Sequence, residues 1–380
     1  MTLAATEVRS RTQDPAGPRV TGEAILYRLF DVGYEIRLDQ AYDLLRSTAP
    51  ERRKPVRGEA HAIQIPNPPI TVHLGSESVS VGEGTQEVQV SGRVFDFGVV
   101  SLRARIELPT TSWSEFVALG VAAGSSAAWA VFDGCRVRLL DRMRSAIVRP
   151  EVAKVSEEYI VYRISRIEDG AGRPLRPDCL SEDEIARLLT GEPRPLSARA
   201  RSELLSHRYS YLEDDLAIVA WSSALVVESV PEDTDVQYVL EFANAQLLEL
   251  RLYDALLDGE VPRIYDEIAA ARRRRLFGSS RFSRLLADIQ TRVADATEAV
   301  ERAENSLKVT DDVYLARIYG GAMEIFREAA WRSGIDRKVA IVRDTYTMLN
   351  AETQVRRAEV LELVVIVLIV LEIALAIWRP

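Results

Sequence analysis

The chain is poor in the residues that build most enzyme centres. Among 380 residues it has two cysteines, three histidines and four lysines. Cys135 and Cys179 are far apart and share no motif, which excludes a disulfide framework or a cysteine metal site and fits a reducing compartment. His61, His73 and His207 are scattered without metal-ligand spacing. There is no Gly-Lys pair, hence no lysine-bearing phosphate loop. Gly82-x-Gly84 lacks the rest of a dinucleotide fingerprint and reads as a turn, and no Gly-x-Ser-x-Gly elbow exists. These gaps predict no cofactor and no catalysis. Residues 1–19 lack the apolar core of a secretory signal, carry Glu7 and Asp14, and read as a disordered tail. The net charge of −9 means the protein as a whole is not built to coat nucleic acid.

What is there is an ordinary globular composition, 47% hydrophobic and 28% charged, over a length that suggests two domains. Strand-like stretches occur at Glu23–Leu38, Ile70–Leu74, Glu87–Leu108, Tyr159–Ile167, His207–Tyr211 and Leu216–Glu228. Between them lie helical patterns. One spans Gln40–Arg46 behind Asp39, another runs from Ser112 or Ser114 to about Ala123, and a third covers Ser126–Ser145. The capping-box pattern Ser181-x-x-Glu184 opens a helix ending at Gly191, and Ser197 opens another. Strands and helices do not alternate regularly, so residues 20–230 are expected to form an α+β domain.

From Pro231 onward the pattern becomes helical. Val236, Leu240, Ala243, Leu247, Leu250, Leu257, Val261, Ile264 and Ile268 step by threes and fours, with Asp254 as a missed position. Pro262 predicts a kink or restart. A second seam runs from Phe282 to Leu307 after the turn Gly278-Ser279-Ser280. Residues 231–356 therefore read as long antiparallel, coiled-coil-like helices in a hairpin or bundle. A third helix is expected over Asp312–Arg332, ended by Gly334, with Asp336 capping the last one.

Residues 360–378 are nearly all apolar. A helix of that length covers roughly 28 Å, against roughly 30 Å for a bilayer core. The expectation is one C-terminal transmembrane helix, making a tail-anchored, single-pass protein. Its body would be cytoplasmic, since Arg356 and Arg357 flank the near side and Arg379 alone the far side. Two acids interrupt the span. Glu362 lies in the first turn, while Glu372 falls near the middle, where an acid costs about 2.5–3.5 kcal/mol. Pairing between neighbouring helices would offset that cost, so Glu362 and Glu372 are candidates for intramembrane assembly.

Several stretches resemble the family named for "required for meiotic nuclear division", with members in bacteria, fungi and mitochondria. They are Val94-Phe95-Asp96-Phe97-Gly98-Val99-Val100, then Tyr211-Leu212-Glu213-Asp214-Asp215-Leu216 continuing to Trp221, then Leu240-Glu241-Phe242-Ala243-Asn244 continuing to Asp254, and Ile369 to Glu372. The resemblance covers most of residues 90–378. It implies an α+β body, a helical hairpin, a C-terminal span and a membrane-attached oligomer, at the mitochondrial inner membrane if the source is eukaryotic. It supplies no catalytic residues.

Two further groups stand out. Asp214 and Asp215, flanked by His207, Tyr209 and Tyr211, are a carboxylate pair suited to acid/base or cation work, but a turn in which Asp satisfies backbone amides is the favoured reading. Arg272, Arg273, Arg274, Arg275, Arg281 and Arg284 cluster at the hairpin turn and read as a solvated helix tip, an anionic-lipid contact or an RNA contact. The expected function is a homo-oligomeric scaffold or tether whose partners are itself and the lipid bilayer, with no small-molecule substrate. The alternatives are an RNA- or ribosome-tethering protein acting through the arginine cluster, and an uncharacterised enzyme.

Overall fold

The computed structural model describes residues 17–48, 50–52, 67–82, 84–150, 155–228, 235–273, 287, 291, 294 and 312–378. The chain divides into two compact units. One is formed by Met1–Leu248 with Lys308–Phe326, the other by Glu249–Leu307 with Arg327–Pro380.

The first unit is organised by a nine-stranded mixed sheet. Its strands are β1 (Arg19–Asp31), β3 (Glu51–Arg52), β4 (Ile70–Val81), β5 (Gly84–Val94), β6 (Val99–Ser112), β8 (Ser156–Glu168), β9 (Arg208–Tyr209), β10 (Leu216–Val219) and β11 (Ser223–Val227). They are ordered β3-β4-β5-β6-β1-β8-β11-β10-β9, while β2 (Gly33–Ile36) and β7 (Ile147–Pro150) pair separately. Neighbours are antiparallel except β8 and β11, which run parallel. The run expected as one strand from Leu216 to Glu228 is instead a tight hairpin, with Ala220-Trp221-Ser222 between β10 and β11. The strand expected to stop at Leu74 continues to Val81 through Gly75, whose φ of +95° sits at a register shift. A glycine supplies that left-handed bend without a Cβ penalty.

Residues two apart on a strand share a face. Ala24, Leu26 and Phe30 of β1, Leu102, Ala104 and Ile106 of β6, and Tyr162 and Ile164 of β8 point to one side and form the main apolar core. That side is closed by α2 (Trp113–Ala123), α3 (Ser126–Trp129), α4 (Val131–Met143) and α5 (Glu182–Thr190), which bury Trp113, Phe116, Phe132, Leu139, Ile185 and Leu188. Ser112 caps α2 by accepting the Glu115 amide, and α5 ends at Gly191 with φ of +68°. Ser181 sits at the start of α5 but its side chain makes no capping bond there. The remaining helices of this unit are α1 (Leu38–Leu44), α6 (Ala198–Leu204), the start of α7 (Asp235–Arg273) and α8 (Val313–Ile325).

The C-terminal half departs from the sequence reading in three ways. First, residues 236–250 of α7 are buried at every position, polar ones included. A two-helix heptad seam buries one stripe, so this segment is an interior helix, not half of a coiled coil. The expected partner seam over 282–307 lies outside the described residues apart from Ala287, Thr291 and Ala294. The helix assignment also runs on through Pro262.

Second, the break expected at Gly334 falls at Phe326-Arg327, between α8 and α9 (Glu328–Trp378). Phe326 is buried edge-on against Tyr159 and Trp221, and Arg327 takes a φ of +55° that ends the helical path. Gly334 instead packs close to Asp254, and Lys338, one turn on, bonds that carboxylate at 2.7 Å and Asp258 at 2.6 Å. Asp254, the gap in the apolar seam, is thus the polar tie between α7 and α9.

Third, among the described residues no single helix is long and apolar enough to cross a membrane. This overturns the transmembrane helix, the tail anchor and the single-pass membrane localisation. A bent pair, Trp113–Ala123 with Ala127–Ala146, passes the length and composition test, but its apolar side chains are the sheet core just described.

Candidate functional site

The second face of the sheet holds charges where a buried face usually holds aliphatics. Register places Arg93 of β5 beside Ser101 of β6, and Ser91 beside Arg103. Further along, Glu23 of β1 lies between Glu107 of β6 and Arg163 of β8. Arg93, Arg163, Glu23, Ser101 and Glu157 are all buried. Burial of a charge is tolerated only with a partner. Arg163 donates Nη1 to Glu23 Oε1 at 2.9 Å. Arg93 donates to Glu241 of α7, and its guanidinium lies 4.6 Å from the Tyr238 ring centroid. Arg103 Nε donates to Ser91 Oγ at 3.1 Å. Among the described residues Nε and Nη2 of Arg163 have no hydrogen-bond partner.

An aromatic cluster adjoins these pairs. Phe242 of α7 sits 6.1 Å from both Phe95 and Phe97 and 6.2 Å from Tyr319 of α8. Phe95 and Phe97 belong to the turn between β5 and β6. Gly98 closes that turn with φ of +94°, and a Cβ there would fall 1.8 Å from the Gly33 carbonyl oxygen. Two of the stretches behind the family resemblance, the Phe-Asp-Phe-Gly turn and the Leu-Glu-Phe-Ala-Asn helix, therefore meet each other: Phe242 meets the two phenylalanines and the adjacent Glu241 meets Arg93. Chemically the layer matches cations with carboxylates and holds α7 against the sheet. Among the described residues no group of three or more His, Cys, Asp or Glu could hold a metal.

The sequence candidates fall elsewhere and do not converge. Asp215 accepts the backbone amides of Tyr211 at 2.7 Å and Leu212 at 3.0 Å, while its neighbour Asp214 is exposed. Both carboxylate oxygens of Asp215 are engaged in the loop. Arg272 and Arg273 close α7, but their side chains, like Arg274, Arg275, Arg281 and Arg284 as a whole, lie outside the described residues. Glu362 and Glu372 are both exposed on α9. Cys135 is packed into the core, where burial pushes its thiol pKa up and keeps it a poor nucleophile.

Missing from the sequence reading are the buried pairs Arg93–Glu241 and Arg163–Glu23. The signal was there in part. Strands with charges at alternate positions look solvent-facing until a helix with its own Glu and Gln is found to cover them.

The fold and its second face define an α+β domain in which a long mixed sheet is clad by apolar helices on one side and carries an ionic layer on the other. The family model described as "Uncharacterized protein MJ0711, N-terminal domain" matches residues 21–234 of the 380, more than half of the chain. The chain belongs to that family. A relative, the "Uncharacterized protein MJ0711" of Methanocaldococcus jannaschii, is 23% identical over 244 residues, covering 63% of this chain and 72% of the relative. The resemblance to the "required for meiotic nuclear division" family rests on the residues quoted for it and is not touched by these matches.

Proposed function

We propose that the protein is a non-catalytic, homo-oligomeric scaffold: its α+β body is displayed by copies that associate through α9. One observation carries this reading. The ten apolar side chains from Leu363 to Leu371 and at Ile373 are each 47–63% exposed, on every side of the helix. A helix that is apolar all round belongs in an interior. One flanking helix covers one stripe, so an all-round surface calls for at least two neighbours and hence an assembly larger than a dimer. Identical copies bring the identical segment in equal number, and closed homo-oligomers are the commonest way to bury such a surface. The ionic layer supports a structural role for the body, since its charges are spent on one another.

The test is the solution mass of the full chain in detergent-free buffer, by sedimentation equilibrium. Trimer or larger is expected for the natural chain, and a monomer for the double substitution Ile366→Glu with Leu368→Glu. A natural chain that sediments as a monomer at tens of micromolar would sink the reading.

A further inference from the structure

The long sheet ends on an open edge. β4 pairs with β5 from Ile70 to Val81, but on its other side β3 meets only Ile70 and Thr71. Among the described residues no further backbone bond closes that side from Ser76 to Val81. Resting on the assembly through α9, we propose that this edge pairs with the same edge of a second copy, antiparallel and about a twofold axis at Ser78. Open edges are ordinarily guarded by lysine, proline or a bulge. Residues 70–81 hold no Lys, Arg or Pro. The register of β4 on β5 shifts between His73 and Gly75, which leaves Ser76–Val81 as a regular run beyond it.

The side chains say which strand fits. Ser76, Ser78 and Ser80 share the exposed face, and Ser76-x-Ser78-x-Ser80 reads the same in both directions. Antiparallel pairing about Ser78 sets Ser76 against Ser80 of the second copy and Ser78 against itself, so each small hydroxyl meets a hydroxyl. Ser76 accepts Gln89 Nε2 at 2.7 Å and keeps its own proton for a bond across the seam. On the other face Glu77 comes opposite Val79, with its carboxylate already bonded by Arg138 of α4. Other registers fit worse. A twofold at Glu77 sets like charges face to face. One at Val79 sets Ser76 against Gly82, where the chain turns with φ of +60°. A strand from an unrelated protein would not call for the palindrome.

The seam is short. Its few residues bury far less than the roughly 1,200 Å² or more of a stable interface. Free chains therefore separate, and pairing needs the raised effective concentration that assembly through α9 supplies. The Ile366→Glu, Leu368→Glu variant stays a monomer on this account, with its β4 edge open.

The test is disulfide cross-linking of the full chain by copper–phenanthroline, in a Cys179→Ser background that leaves only the buried Cys135 besides the probe. Ser78→Cys should give linked dimers at least about tenfold faster than Ser202→Cys, because a held pair reacts at its own local concentration. Ser202 is an exposed serine of α6 in the same assembly. Adding Ser76→Lys with Ser80→Lys sets lysine against lysine across the seam and should bring Ser78→Cys down to the Ser202→Cys rate. Adding Ser76→Lys with Ser80→Glu sets opposite charges together and should restore it. Unchanged far-ultraviolet circular dichroism checks the fold of each variant. Loss of cross-linking in both charged variants would overturn the proposal. So would equal rates at Ser78→Cys and Ser202→Cys in a chain that sediments as a trimer or larger, which leaves assembly through α9 standing. Equal rates in a natural chain that sediments as a monomer would overturn both.

Discussion

Two stretches of helix in this protein have their polarity and exposure inverted. Residues 236–250 of α7 include Gln237, Glu241, Asn244, Gln246 and Glu249, yet every position is buried. Residues 363–373 of α9 are apolar except Glu372, yet all are exposed. The first stretch is affordable because the fold supplies partners: Arg93 for Glu241, and the Leu240 carbonyl, which accepts the Asn244 amide at 2.8 Å. The second has no cover within its own chain among the described residues. Side-chain character therefore says what a helix needs, and the tertiary structure says whether it has been met.

The largest expected effect is on the exposed stretch. Ile366→Glu with Leu368→Glu should reduce the assembly to monomers, read by sedimentation, and leave the body's unfolding midpoint in urea unchanged. A shifted body midpoint would erase the distinction between the two helices.

Next comes the buried stretch. Glu241→Leu alone strands Arg93 without its carboxylate and should cost about 3–5 kcal/mol. The double change Arg93→Met with Glu241→Leu should recover much of that, because an apolar pair of similar volume replaces a buried ion pair at little cost. Urea titrations of the three proteins measure it. A double variant as unstable as the single one would show that the pair does more than neutralise itself.

Smaller effects should follow at two helix contacts. Gly321 of α8 lies so close to β9 that a Cβ would fall 1.7 Å from the Tyr209 hydroxyl oxygen. Gly321→Ala should destabilise by about 1–3 kcal/mol through overpacking, and adding Tyr209→Phe should relieve part of it. In the second unit, burial pulls the Lys338 pKa down, but hydrogen bonds and charges from Asp254 and Asp258 outweigh it, and the net shift is upward. A raised folded pKa means stabilisation that is complete below the unfolded value of about 10.4 and fades as pH climbs through the folded one. Lys338→Met should therefore lower the urea midpoint at neutral pH, with the gap from the natural chain narrowing in alkali. A gap independent of pH would assign the loss to packing instead.

Much of the body was legible. Long β-branched runs marked β1, β6 and β8, and Ser112 and Ser197 were readable as caps because each is a short polar side chain at the start of an apolar period, whereas the helix expected to start at Asp312 behind a Thr310-Asp311 cap is capped by Asp312 itself. The Asp215 loop was readable too, since an aspartate beside a turn commonly satisfies backbone amides. Other features were not. The β10–β11 hairpin hid inside one apolar run because Ala220-Trp221-Ser222 lacks the glycine or proline that usually marks a turn. Charges on alternate strand positions gave the period without saying which face would be covered. Apolar spacing in α7 was taken for a coiled-coil seam because a seam and one side of an interior helix have the same period.

By itself the sequence determined the local periods, several caps and the α+β class of the body, because these depend on neighbours a few residues apart. Only the tertiary structure decided that α7 is an interior helix clasped by Arg93, that Asp254 is a tie to Lys338 and not a flaw in a seam, and that the apolar side chains from Leu363 to Leu371 of α9 stand exposed within their own chain. Each of these depends on what a residue meets across tens or hundreds of positions, and local sequence does not carry that information.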